Sequence, residues 1–280
     1  MLTKAIVRPP AANFSEGLTR VNLGAPNYER ALLQHEAYCL ALERCGLTLT
    51  TLERDPLHPD STFVEDTAVL TERCAILARP GAPSRAGEVA SVDKVLTDFY
   101  PSMLSIQPPG TVDGGDVCEA GNHFFIGLSE RTNEAGAKQL ADLLTQFDYT
   151  TSFIDIRVGQ GDQDADEMTD SLPQAVLTRG AVSSPMLHLK SGVAYLGDKR
   201  LVVTQPLADR EEFSDYDLVR VNSDEEYVAN CVRVNNHVLV AEGYPEFERE
   251  LRGLGYQTIE LEMTEFQKMD GGLSCLSLRF

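Results

Sequence analysis

Asp116-Val-Cys-Glu-Ala120, Gly121-Asn122 and His123-Phe-Phe-Ile-Gly-Leu-Ser129 follow one another without a gap. They predict an apolar strand, a two-residue turn and a second apolar strand, because Gly and Asn accept the backbone angles of a tight hairpin. A helical stretch is expected next, at about 133–146. The same order recurs. Asp66-Thr-Ala-Val-Leu70, a turn at 71–73 and Cys74-Ala-Ile-Leu-Ala-Arg-Pro80 form one copy, with an amphipathic helix expected over 85–99. Gly192-Val-Ala-Tyr-Leu196, Gly197-Asp198 and Arg200-Leu-Val-Val-Thr-Gln205 form another. Asn230-Cys-Val-Arg-Val234, Asn235-Asn236 and His237-Val-Leu-Val-Ala-Glu-Gly243 form a fourth, with a helix at about 246–254.

A fifth copy is split between the chain ends. Its first strand is Leu276–Phe280 and its second is Lys4–Arg8, and pairing them closes a ring without a loose terminal edge. The expected class is therefore α/β, a propeller-like ring of about five units in one domain spanning 1–280. A doubly wound sheet is disfavoured, since no βαβ crossover with a Gly-rich phosphate loop is read. Residues 157–185 depart from the repeat. Gly159-Gln-Gly-Asp-Gln-Asp-Ala-Asp-Glu-Met-Thr-Asp170 is acidic and polar, and reads as a solvated insertion. The same segment could cap a pocket or mediate self-association, a homodimer in the simplest case.

Twenty-four Lys and Arg stand against 43 Asp and Glu, a net charge of −19. That argues against nucleic acid or an anionic membrane as a partner and is compatible with a cationic small molecule. No apolar run is long enough for a transmembrane helix, and the N-terminus has no signal-peptide core. The six cysteines lack CxxC or CxxH spacing, so no metal is expected, and reduced thiols in a cytoplasm are the default.

If the units are related by rotation, the residues that open each first strand converge on the axis. Those residues are Glu65, Asp66, Asp113, Asp116, His188, Asn230 and Cys275. Cys275, after Gly271-Gly272, could be a buried packing residue or a nucleophile, which would have to react as thiolate. His188 can act as acid and base near neutrality, and a carboxylate such as Asp113 can hold its tautomer and its cation. Glu65 and Asp66 are acceptors only. They suit a planar guanidinium, whose N–H groups match carboxylates two at a time. His35 and His58 are expected at the surface, and His123 and His237 in strands.

Six ordered motifs carry a resemblance. Phe63-Val-Glu-Asp66, Arg79-Pro-Gly-Ala-Pro-Ser-Arg85, Thr111-Val-Asp-Gly-Gly-Asp116, Ile126-Gly-Leu-Ser-Glu-Arg-Thr-Asn133, Leu187-His-Leu-Lys-Ser191 and Asp270-Gly-Gly-Leu-Ser-Cys-Leu-Ser-Leu-Arg-Phe280 resemble the dimethylarginine dimethylaminohydrolases of the pentein, or guanidino-group-modifying, superfamily. The similarity runs almost end to end, apart from the acidic segment. It implies a five-fold pseudosymmetric α/β propeller that hydrolyses Nω,Nω-dimethylarginine or Nω-monomethylarginine to citrulline and an amine, with no organic cofactor. It also implies that Cys275 is the nucleophile, His188 the general acid and base with Asp113 beside it, and Glu65 and Asp66 the guanidinium contacts. Arg85 and Arg131 would meet the α-carboxylate. Leu18, on a lid loop, and Asp60 would meet the remaining polar end, and Met269 would contact substrate through its backbone. A deiminase or amidinotransferase of the same superfamily, and a pentein used only for binding, remain the other readings.

Overall fold

Each predicted hairpin acquires a third strand in the computed structural model, which describes residues 1–157 and 186–280. Strand β1 (Lys4–Val7) is followed by helix α1 (Tyr28–Arg44) and β2 (Thr48–Thr51). The hairpin of β3 (Ala68–Leu70) and β4 (Ala75–Leu77) leads through α2 (Val89–Leu96) to β5 (Met103–Ser105). Strands β6 (Val117–Ala120) and β7 (His123–Leu128) lead through α3 (Glu134–Thr145) to β8 (Thr150–Asp155). Strands β9 (Val193–Gly197) and β10 (Arg200–Thr204) reach β11 (Asp217–Val221) through two short 3-10 turns in place of a helix. Strands β12 (Val232–Val234) and β13 (His237–Ala241) lead through α4 (Pro245–Gly253) to β14 (Gln257–Leu261). The short helix α5 (Thr264–Gln267) precedes the last strand, β15 (Ser277–Arg279).

All five sheets have one plan. The first strand runs antiparallel to the second, and the second runs parallel to the third. The split unit obeys it. Strand β15 pairs with β1 with Ala5 opposite Arg279, and β1 pairs in parallel with β2. The ring is thus a five-fold pseudosymmetric propeller whose ends are pinned together. A parallel third strand needs a crossover, and the helix after each hairpin supplies one in four units.

The core is divided into five apolar clusters, each lying between neighbouring sheets. Phe125 from β7, for example, packs edge-on against Phe213 beyond β10. One cluster joins the sheet of β12–β14 to that of β1, β2 and β15. Another, with Ile6, Val64, Ala75 and Leu278, joins that sheet to β3–β5. Burying such side chains contributes about 1.5–3 kcal/mol each, so every unit depends on both neighbours. Two of the helices are capped by asparagine. Asn27 and Asn133 accept N–H bonds from Arg30 and Gly136, satisfying donors that α1 and α3 would otherwise leave open. His35, expected at the surface, is instead buried on the inner face of α1, where burial pushes its pKa down to about 4. His123 and His237 do open strands. Apart from Arg157, the acidic segment expected as an insertion lies outside the described residues. Among the described residues no helix is long and apolar enough to cross a membrane.

Candidate active site

Five 3-10 turns ring the axis, one before each first strand: Val64–Thr67, Gly114–Asp116, Leu189–Ser191, Glu226–Ala229 and Ser274–Leu276. Glu65, Asp66, Asp116 and Cys275 sit within these turns. Asp113 and His188 immediately precede theirs, and Asn230 closes its own. The convergence expected from the repeat is therefore present, although the residues lie on tight turns and not on the strands themselves. Gly114 and Gly115 make this approach feasible. A Cβ on Gly114 would lie 2.0 Å from the Glu65 carbonyl oxygen, and one on Gly115 would lie 2.7 Å from His188 Nδ1.

His188 Nε2 is 3.0 Å from Asp113 Oδ2. The other oxygen of Asp113 accepts the Gly81 N–H at 2.7 Å, and its own N–H donates to Thr132 Oγ1 at 3.1 Å, so the carboxylate is held on two sides. Burial opposes a charge on His188, but Asp66, Asp116 and the hydrogen-bonded Asp113 outweigh it and carry the imidazole pKa up to about 9. Cys275 is partly buried. Its Sγ lies 3.4 Å from the Gly272 N–H. Burial, followed by the charges of Glu65 and Asp66, pushes the thiol up to about 12, so in the absence of a cation it is protonated.

Asp66 accepts the Gly115 N–H at 2.8 Å and faces Arg85 Nη1 at 2.5 Å. Burial would raise its pKa, but His188 and Arg85 more than reverse that and hold it down to about 2. Asp116 joins neighbouring loops. It accepts bonds from Ser129, Thr132 and the Leu189 N–H, and burial raises it to about 6.

Leu18, Asp60, Asp66, Arg85, Asp113, Arg131, His188, Met269 and Cys275 all line one narrow cavity of about 30 Å³. Glu65 lines the adjoining cavity of about 270 Å³ with His188 and Cys275. All ten expected site residues thus line one or other of two cavities that share His188 and Cys275 in their walls. The two arginines differ. Arg85 is buried and saturated: it bonds Asp66, both oxygens of Glu88 and the carbonyls of Phe63 and Asp60. Among the described residues Arg131 has no side-chain hydrogen bond or ion pair, so its charge is open to the cavity. Asp60 already accepts the Leu18 N–H with both oxygens, at 3.1 and 3.2 Å, which ties the loop after Gly17 to the cavity wall.

Sequence reasoning missed Glu88, Lys190 and Ser274. Glu88 neutralises Arg85. Lys190 Nζ is 2.7 Å from Glu65 Oε1, and Ser274 Oγ donates to Glu65 Oε2 at 2.7 Å. The only hint was adjacency, since Lys190 follows His188 by two residues and Ser274 directly precedes Cys275. Asp66, Asp113 and His188 offer metal-type donor atoms within 4.8 Å of one another. Their set matches a metal poorly, because Asp66 is bound to Arg85 and His188 is held as a cation.

No family model matches the chain. It is 38% identical over 281 residues to the N(G),N(G)-dimethylarginine dimethylaminohydrolase of Pseudomonas aeruginosa, with all of both chains covered. A protein of the same description from Streptomyces coelicolor is 32% identical over 280 residues, covering 99% of this chain and 96% of that one. The Pseudomonas enzyme solved as a cysteine-to-serine mutant complexed with citrulline superposes with a TM-score of 0.88, at 38% identity and full coverage of both chains.

Proposed function

Since this chain belongs to the dimethylarginine dimethylaminohydrolase family, we propose that it hydrolyses Nω,Nω-dimethyl-L-arginine and Nω-monomethyl-L-arginine to L-citrulline, releasing dimethylamine or methylamine through a covalent thiouronium on Cys275. The observation that carries the reading is one cavity whose lining brings a thiol, an imidazole and Asp66 together with a second carboxylate, Asp60, and a guanidinium, Arg131, that has no side-chain hydrogen bond or ion pair among the described residues. A free α-amino acid with a cationic tail presents the complementary charges at both of its ends.

The substrate guanidinium sets its N–H groups against Asp66 and places its carbon beside Cys275 Sγ. Burial is the larger cause of the raised thiol pKa, but the substrate's positive charge offsets the part due to Glu65 and Asp66 and so lowers it when it is needed. The thiol gives its proton to solvent, His188 being already protonated, and thiolate attack on the guanidinium carbon gives a tetrahedral adduct. His188, a cation near neutral pH, gives its proton to the departing amine, and the C–N bond breaks to leave the thiouronium. His188, now neutral, takes a proton from water. The hydroxide adds to the same carbon, and collapse of the adduct breaks the C–S bond, the hydroxyl proton passing to the departing sulfur, to release citrulline and the Cys275 thiol. Asp113 keeps the imidazole oriented through both steps. The α-carboxylate is held by Arg131, with the buried Arg85 adding its field.

The test is release of citrulline and amine from dimethylarginine, monomethylarginine and arginine by the wild type and by Cys275→Ser. Turnover of both methylated substrates, abolished by Cys275→Ser, is expected. Turnover of arginine in preference to both methylated forms would replace this reading with a deiminase.

A further inference from the structure

Asn230 has no part in the chemistry above, yet its amide is fully committed. It closes the 3-10 turn of the fourth unit and is nearly inaccessible, at 9% exposure. Its Nδ2 donates to the Lys190 carbonyl at 2.8 Å and to Ser274 Oγ at 3.0 Å. Its Oδ1 accepts the Ser274 N–H at 2.9 Å. Lys190 belongs to the turn that His188 opens, and Ser274 directly precedes Cys275. Asn230 therefore spans the two turns that carry the acid–base group and the thiol.

Those turns come from different units, and among the described residues no backbone hydrogen bond joins them. Their spacing is set by side chains. Glu65 completes a circuit from the other side, taking Lys190 Nζ on one oxygen and Ser274 Oγ on the other, each at 2.7 Å. Glu65, Lys190, Asn230 and Ser274 line both the 270 Å³ cavity of the site and a second cavity of about 410 Å³ toward the hairpin ends of the first strands. The circuit is thus a polar partition across the axis. Crowding enforces it, since a Cβ on Gly272 would lie 2.3 Å from Asn230 Oδ1.

We propose that Asn230 is a positioning residue. It holds the His188 turn and the Cys275 turn at the separation that lets both groups reach one carbon atom. The inference rests on the proposed reaction and adds a residue to it. An amide is required because the position must donate twice and accept once on a planar group. Asp at this place keeps the acceptor for the Ser274 N–H, loses both donors and sets a second carboxylate beside Glu65. Ala removes all three bonds and leaves the Lys190 carbonyl without this partner.

The test compares Asn230→Asp and Asn230→Ala with the wild type, each as the full chain. Steady-state citrulline release from dimethylarginine is measured beside the rate at which iodoacetamide alkylates Cys275 at pH 8 without substrate. A displacement of about 1 Å between reacting groups costs about 10²-fold, so kcat should fall by that order with KM within about threefold. The alkylation rate should change by about threefold or more, because Sγ moves relative to Glu65 and Asp66. A folded variant with kcat within about threefold of wild type overturns the proposal, as does a loss carried by KM. Failure of both variants to fold assigns Asn230 to stability and equally overturns it. If the wild type releases no citrulline, the proposed reaction fails, and the alkylation rates still decide whether Asn230 governs the thiol's surroundings.

Discussion

Gly115→Ala adds one methyl group where the second unit packs against His188 of the third. Gly115 has no left-handed backbone angle, so alanine meets no conformational penalty there. The obstacle is the site. The new Cβ would lie 2.7 Å from His188 Nδ1, 2.8 Å from its Cγ and 2.9 Å from Asp66 Oδ1, where ordinary contact begins at 3.4 Å. The imidazole must retreat by about 0.7 Å. It is held on its far side by Asp113 at 3.0 Å, so the retreat distorts that bond as well. A shift of this size between reacting groups predicts a fall in kcat of about 30- to 100-fold. Overpacking should lower stability by about 1–3 kcal/mol, leaving a folded protein. Citrulline release under saturating dimethylarginine, read beside a thermal melt, separates the two effects. Gly114→Ala is the contrast. Its Cβ would meet the Glu65 backbone oxygen at 2.0 Å, and backbone cannot swing aside, so there the melt should collapse first. A folded Gly115→Ala enzyme with wild-type kcat would refute the claim that the placement of His188 limits the reaction.

Three further outcomes are expected. The His188 pKa is raised from its ordinary value of about 6.5 to about 9 on folding, so its contribution to stability is complete below pH 6.5 and is lost as pH rises through 9. The melting temperature of the ligand-free protein should fall across that window, and less so in Asp113→Asn; an identical fall in both would remove the assigned cause. With the Cys275 thiol near 12, only about one molecule in 10⁵ is thiolate at pH 7. An alkylating agent bearing an amidinium should therefore inactivate at least about tenfold faster than neutral iodoacetamide of matched intrinsic reactivity, and equal rates would sink substrate-assisted ionisation. Arg131→Ala should raise KM about 10- to 100-fold with little change in melting, the loss of one charged hydrogen-bonded contact. Arg85→Ala should instead cost about 3–5 kcal/mol of stability, because it strands Asp66 and Glu88 in the interior. Interchanged phenotypes would reverse the roles drawn for the two arginines.

Local pattern was enough for the hairpins, for the pairing of the two chain ends, and for the set of residues that open each unit. Strand alternation and Gly or Asn turns act over a few residues, and rotation of a repeated module carries equivalent positions to one axis. That periodicity alone singles out Cys275, His188, Asp113, Glu65 and Asp66, together with Asp116 and Asn230. Arg85, Arg131, Leu18, Asp60 and Met269 came only with the family resemblance, because nothing local separates one arginine or one loop residue from another.

Tertiary structure alone decided the rest. The third strand of each unit is short or half exposed, as in Met103–Ser105 and Thr48–Thr51, so its apolar signal is weak. It is a strand because its partner lies beyond a crossover helix. His35 is buried because the inner face of α1 packs on the split unit, which no window of sequence contains. Arg85 and Arg131 read alike in the chain. One is saturated by Glu88 and Asp66 and the other open to the cavity only because of what folds around each. The order of the units could be read along the chain. The partition of Glu65, Lys190, Asn230 and Ser274 could not, since its members come from four segments that meet only when the ring is closed.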